Sequence, residues 1–212
     1  MKNRKKMNSL KKKYKQNVKK PQKSILGILQ LLSMNKRHTP LAEWGRTYVD
    51  FDVASSILDI GFGGGENLKV ASKLAPKAKL FGIDYSVASV QIATKKNRKL
   101  VNNGRLTLTE GSVEQMPYEN DSFDLVTAYE TIYFWNIEKG FKEVYRVLKE
   151  DGTFAIINEA KSEVGMEEHI EAIGFRVYTE EEIRETLTRI GFREITAHSH
   201  ENGNWLTVTA KK

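Results

Sequence analysis

The chain has 212 residues, 40% of them hydrophobic and none of them cysteine. That length suits one well-buried domain and is short for two, and the missing cysteine excludes disulfides, thiolate metal sites, iron–sulfur clusters and a cysteine nucleophile. The formal charge is +7, yet residues 1–23 hold eleven Lys or Arg and no acid, which leaves 23 basic against 27 acidic residues over 24–212, a net of −4.

Residues 1–23 are Lys-rich and poor in apolar side chains, so they are expected to self-repel and stay disordered as a basic tail. Clustered lysines attract phosphate without reading sequence, so an arm for nucleic acid or an anionic membrane stands beside the reading as a solvated tail. No apolar run approaches the ~20 residues that span a bilayer, and no secretory signal pattern opens the chain. A cytoplasmic protein is expected. Residues 24–212 read as a single domain, with a lead-in at 24–50 and a core at 51–212. Within the lead-in, ILGILQLLSM after Ser24 has the length of a short helix that packs on the core or caps a substrate cleft.

From Ser56 onward short apolar strands alternate with helical stretches, the pattern of an α/β fold with a largely parallel sheet. Strands are predicted at 56–60, 79–83, 105–109, 123–128 and 153–158. Leu68, Ala71 and Ala75 form a helical stripe that Pro76 ends, and Ile137, Phe141, Val144 and Leu148 form a second. Thr179 with Glu182 is a capping-box pattern opening a helix through Ile183, Leu187 and Ile190, which Gly191 closes. Residues 192–200 and 204–210 read as two strands joined through Asn202–Gly203, a tight-turn signal that makes them antiparallel. A plain dinucleotide-binding domain would continue with another crossover helix instead.

In open parallel sheets ligands sit beyond the carboxyl ends of the strands, and there the informative residues fall. ILDIGFGGGENL runs from an apolar strand through Asp59 into Gly61, Gly63, Gly64 and Gly65, a turn suited to bringing backbone against a ligand. Counting from Gly61, the sixth position is Glu66 where the dinucleotide fingerprint needs Gly, and no Lys-Ser or Lys-Thr pair follows as an ATP phosphate loop requires. An acid at the loop also repels phosphate. The ligand that fits has a ribose but no phosphate and carries ammonium and carboxylate groups, a description S-adenosylmethionine meets.

Together these residues resemble the class I S-adenosylmethionine-dependent methyltransferases, whose first motif, an acid followed by GxGxG one residue on, stands here as Asp59, Gly61, Gly63 and Gly65. The resemblance runs from about Met34 to the C-terminus. It implies a Rossmann-like fold with a seven-stranded, mostly parallel sheet and an antiparallel strand in the C-terminal hairpin. It further implies that Asp59 meets the cofactor's amino group, that Asp84 in LFGIDYS bonds the ribose hydroxyls and that Tyr85 lies against the adenine. In EGSVEQMPY, Ser112 and the Val113 N–H stand where the family contacts the adenine. Phe62 within the turn and Tyr129 after strand four complete the expected cofactor set. Two departures are visible: Ser112 replaces a usual Asp, and Phe62 replaces a usual Cys or small residue. MNKRHTPLAEWG with ETIYFW looks like a branch of small bacterial methyltransferases of unassigned substrate.

Acceptor-side candidates are His38 and Trp44 before the first strand, Glu130, Tyr133 and Trp135 after the fourth, and Glu159 after the fifth. Packing is the competing role for the residues after strand four. No catalytic residue is singled out, because a sulfonium methyl needs alignment more than a dedicated group. His198 and His200 share a strand face, but without a third ligand nearby no metal site is assigned. Methyl transfer to a small molecule is the expected activity. The alternatives are an RNA or protein methyltransferase using the Lys-rich tail, and a catalytically silent S-adenosylmethionine-binding regulator.

Overall fold

The computed structural model describes residues 40–159, 176–201 and 205–212. The basic tail, the 24–34 segment, His38 and the Asn202–Gly203 turn lie outside these residues.

Seven strands make one sheet: β1 (Ser56–Ile60), β2 (Lys79–Asp84), β3 (Leu106–Glu110), β4 (Phe123–Tyr129), β5 (Leu148–Glu159), β6 (Arg193–Ser199) and β7 (Trp205–Lys211). Their order is β3-β2-β1-β4-β5-β7-β6. All pairs from β3 to β5 are parallel, while β7 runs antiparallel to both β5 and β6. The hairpin therefore reverses a single strand, as the Asn202–Gly203 signal implied. The helices α1 (Glu66–Leu74), α2 (Val87–Lys96), α3 (Arg98–Asn102), α4 (Ile137–Val147) and α5 (Glu180–Ile190) follow in chain order, and residues 40–46 are also helical.

Alternating side chains on the strands feed two cores, which makes three layers. Leu58, Ile60, Val126, Phe154 and Ile156 pack with Phe141 and Val144 of α4 and Ile183 and Leu187 of α5. On the other face Ile57, Leu80, Leu125 and Ile157 pack with Leu41 and Ala42, Leu68 of α1 and Ala93 of α2. The predicted capping box at α5 is present, with Thr179 Oγ1 and Glu182 exchanging bonds with each other's backbone, and Gly191 closes the helix at φ 116°.

β5 starts five residues earlier than the apolar run predicts. Leu148 already pairs with Phe123, and the next pairing joins Leu125 to Thr153, so a bulge absorbs the intervening residues with Asp151 at φ 61°. At this same end of the sheet Asp124 ties β4 to β1: its Oδ2 accepts from the backbone N–H of Ser55 and Ser56 at 3.0 and 2.8 Å, and Oδ1 accepts from Lys149 at 2.8 Å. Partial burial pushes this carboxyl up, but the bonds from Lys149, Ser55 and Ser56 outweigh it and hold it well below the usual carboxylate range. A lowered acid contributes stability that is present above its unfolded-state pKa and lost as pH falls through the folded one. Asp124→Ala is thus expected to cost about 2–3 kcal/mol at neutral pH. Urea unfolding should show that gap narrowing under strongly acidic conditions, and a pH-independent gap would mean that the carboxylate charge is not what stabilises this corner.

The chain builds β1, β2 and β3 outward in one direction and then returns to lay β4 on the other side of β1. The sheet's switch point is therefore the crevice beyond the carboxyl ends of β1 and β4, where such folds place ligands.

Candidate functional site

The glycine turn leaves β1 at the switch point. Gly61, Gly63 and Gly65 have φ of 70°, 51° and 75°, all in the left-handed region that side chains with a Cβ disfavour. Two of them are also points of close approach. A Cβ on Gly61 would lie 2.2 Å from Thr131 Oγ1, and one on Gly65 would lie 2.8 Å from Ala93 Cβ of α2. Asn97 secures that second contact by donating to the carbonyls of Gly65 and Ala93 at 3.0 and 3.1 Å.

Asp59, on the same face of β1 as Ile57, is buried. Its Oδ1 accepts from Thr127 Oγ1 at 2.9 Å, while Oδ2 has no partner among the described residues. Burial raises its pKa to about 7; the Thr127 bond works against the shift, Asp84 adds to it and Arg46 draws it down. Asp84 ends β2 and accepts from Gly63 N–H on Oδ2 and from Ser86 N–H on Oδ1, both at 2.8 Å. Burial raises its pKa too, against the pull of those bonds. Each carboxylate oxygen keeps a lone pair beyond the bond it already accepts, so Asp84 can hold the turn and still take a ligand hydroxyl.

The other cofactor-side candidates from the sequence lie as follows. Tyr85, next to Asp84, is 56% exposed. Phe62 is buried with its ring against Gly82, where a Cβ would meet its Cδ1 at 2.6 Å. Ser112 follows β3 and its Oγ accepts from Glu114 N–H at 3.1 Å, with Val113 buried beside it. Tyr129, at the end of β4, is buried on the Asp59 face; burial first, and Asp59 second, push its hydroxyl pKa up.

After β4, Glu130 sits at φ 54°, and its Oε1 accepts from Tyr133 Oη at 2.8 Å and from Glu159 N–H at 2.7 Å. The structure thus brings Glu130, Tyr133 and Glu159 together, and burial with the neighbouring Glu130 pushes the Tyr133 phenol well up. Trp135 goes elsewhere, packing on Gly140 and on Phe141, ring centroids 6.4 Å apart. Trp44 lies between Tyr48, His200 and Trp205, at centroid distances of 5.3, 5.3 and 6.1 Å. His198 stacks on Tyr48 at 3.8 Å.

Sequence reasoning passed over Arg46 and Thr127. Thr127 carried a signal, a lone hydroxyl inside the apolar strand FDLVTAY and two residues from Tyr129. Arg46 carried none, since its neighbours Tyr129 and Asn67 are distant in the chain. Its guanidinium carbon lies 6.0 Å from the Tyr129 ring centroid and its Nη1 donates to Asn67 Oδ1 at 3.0 Å.

The sequence and the fold are similar to those of known proteins. A family model described as a methyltransferase domain matches residues 58–156, from β1 into β5. The uncharacterized methyltransferase YdaC of Bacillus subtilis (strain 168) is 28% identical over 142 residues, covering 66% of this chain and 76% of its own. Against two further Bacillus subtilis proteins, the uncharacterized methyltransferase YcgJ and the putative methyltransferase YrhH, the match spans 40% and 59% of their length. Among solved structures, a chain of the Haloferax volcanii complex between the Trm112 methyltransferase activator and a putative methyltransferase superposes with a TM-score of 0.74 at 20% identity, over 86% of this chain and 93% of that one. The geranyl diphosphate C-methyltransferase of Streptomyces coelicolor, solved with S-adenosyl-L-homocysteine, gives 0.73 at 12% identity over 89% and 84%. At such identities the structural matches speak for the fold, and the sequence matches carry the relationship. Residues 58–156 thus match a methyltransferase-domain family, on a fold shared with structures of S-adenosylmethionine-dependent methyltransferases.

Proposed function

We propose that the protein transfers a methyl group from S-adenosylmethionine to a small-molecule acceptor. The observation that carries the cofactor's placement is Asp59 Oδ2, a buried carboxylate oxygen without a partner among the described residues, at the head of a turn with left-handed glycines. A buried charge is tolerated when something pairs with it, and the cofactor's ammonium is the matching group. The backbone of Gly61, Gly63 and Gly65 would carry the methionyl chain, Asp84 the ribose hydroxyls, and Ser112 with the Val113 N–H the adenine, flanked by Tyr85; Tyr129 and the Phe62 backbone close the set. Bound there, S-adenosylmethionine supplies a methyl on a sulfonium, whose single in-line displacement by an acceptor lone pair leaves neutral S-adenosylhomocysteine.

What this chain contributes is position. Alignment of the reacting atoms can supply roughly 7–11 kcal/mol of a barrier without an acid or base, so no catalytic residue is assigned. The preference for a small acceptor is supported by how firmly the mouth of the crevice is held. Gly45 packs so closely on Ile157 and Thr207 that a Cβ would lie 2.5 and 2.8 Å from them, and Tyr133, buried in the loop after β4, is bonded to Glu130 and Glu159. The 40–46 helix and that loop would enclose the acceptor between them, with Trp44, Glu130, Tyr133 and Glu159 closest to it.

Calorimetric titration of the full chain with S-adenosylhomocysteine is expected to give binding in the micromolar range. Absence of binding at millimolar ligand would overturn the cofactor placement. Binding with turnover of RNA or protein, and of no small acceptor, would overturn the acceptor class; binding with no turnover of any acceptor would favour a regulatory protein.

A further inference from the structure

The structure assigns the outer face of α1, α2 and α3 as the surface by which the protein docks on an anionic bilayer. Charge is unevenly placed over the body of the chain. Residues 66–105 carry nine Lys or Arg against two acids, while the rest of 24–212 carries fourteen against twenty-five. Of those two acids, Asp84 is taken up by the glycine turn and Glu66 is paired with Lys96. Lys69 and Lys73 on α1, Lys77 and Lys79 beyond its end, and Lys95 and Lys99 on α2 and α3 are all exposed. None of these six forms an ion pair among the described residues.

Tertiary contacts gather these cations on one face. Asn97, between α2 and α3, donates to the Gly65 carbonyl at the start of α1, and Arg105 beyond α3 donates to Ser72 and Ala75 carbonyls at 2.8 and 2.6 Å. The Lys96 bond, with the charges of Lys69 and Lys73 behind it, holds the Glu66 carboxyl below its ordinary pKa against partial burial. Attraction of cations to helix C-termini accounts for Lys73 and for Lys95 with Lys96. It does not account for Lys69, because like charges four residues apart destabilise a helix, nor for Lys77 and Lys79 outside α1. Two features identify the partner. Leu74, 41% exposed, stands beside Lys73 in the last turn of α1. An aliphatic side chain among lysines suits a bilayer, where ammonium groups meet anionic headgroups and the apolar group enters the acyl boundary. In addition, α1, α2 and α3 contain no aromatic residue and Arg98 as their single Arg. Single-stranded nucleic acid is held by rings that stack on its bases, and phosphate recognition favours Arg over Lys.

Full-length protein is expected to sediment with vesicles made of equal parts phosphatidylcholine and phosphatidylglycerol. It should leave them as salt is raised and ignore vesicles of phosphatidylcholine alone. The N-terminal lysines are present throughout, so two charge-matched variants separate this face from total charge. Lys69→Glu with Lys73→Glu should weaken binding to the mixed vesicles about thirtyfold or more. Lys139→Glu with Lys142→Glu, on α4 across the sheet, changes net charge equally and should weaken binding less than about threefold. Leu74→Ser changes no charge and should weaken it about three- to tenfold. Thermal unfolding checks that each variant folds, and Leu74→Ser decides the matter should the double reversal on α1 fail to do so. Equal losses in the two double variants, unchanged binding in the Leu74 variant, or no preference of wild-type protein for the anionic vesicles overturns the assignment. An RNA duplex bound more tightly than the vesicles, and released by the α1 reversal, overturns the bilayer in favour of nucleic acid.

Discussion

Asp59→Asn is expected to make the unliganded protein more stable above pH 7 and to weaken S-adenosylhomocysteine binding by at least a hundredfold. The reason is the environment of one carboxyl. In the fold its pKa is raised to about 7 from an ordinary 3.8, chiefly by burial. Between those values the folded protein holds a proton that the unfolded chain has released, so stability falls as pH rises through the interval and levels off above it. The interval corresponds to about 4 kcal/mol at most. Asn, which has no charge to desolvate, should recover about 1–3 kcal/mol of it. Urea midpoints of wild type and variant should therefore converge near pH 4 and separate by pH 8. A constant separation would mean that shape rather than charge distinguishes the two side chains. Binding runs in the opposite sense, because an ammonium favours ionised Asp59. Wild-type affinity should drop as pH falls below 7, approaching tenfold per pH unit, and the variant should lose that dependence. A site residue that opposes folding and serves binding is a common trade.

Gly61→Ala should be the most damaging of the conservative substitutions in the turn, and Gly104 supplies its control. Both glycines have φ of 70°, so an alanine at either position pays the same left-handed strain, about 1–2 kcal/mol. They differ in surroundings. A Cβ on Gly104 meets nothing within 4 Å among the described residues, whereas on Gly61 it would fall 2.2 Å from Thr131 Oγ1 and 2.8 Å from Thr131 Cβ. Gly104→Ala is therefore expected to cost only that strain, about 1–2 kcal/mol, and leave ligand affinity intact. Gly61→Ala should cost about 3–4 kcal/mol and displace the loop carrying Tyr133 and Glu130. The double variant Gly61→Ala with Thr131→Gly removes the obstruction and should return to the strain-only cost. Equal costs at 61 and 104 would refute the close approach.

Much of this architecture could be read from local patterns. Strand positions, the capping box at Thr179 and the reversal signalled by Asn202–Gly203 depend on residues within a few positions of one another, and each matches an observed element or pairing. The apolar run could not show that β5 begins at Leu148, because LKEDG becomes strand only through its pairing with β4 across a bulge. The site divides the same way. Asp59, the glycines and Asp84 announce themselves by chemistry placed at the carboxyl ends of apolar strands. The roles of their neighbours depend on partners farther along the chain: Phe62 is buried because Gly82 leaves space for it, and Trp44 packs beside Trp205.

By itself the amino-acid sequence determined the α/β layering, the reversed strand and the acid-plus-glycine turn, since periodicity, turn chemistry and glycine's freedom are short-range properties. Only the tertiary structure decided that Asp59 is left with a buried oxygen unpartnered among the described residues, that Glu130 is tied to Glu159, and that Arg46 crosses to Tyr129 and Asn67. Desolvation and charge pairing are set by what surrounds a group in space, and the sheet order brings those surroundings together from segments tens of residues apart.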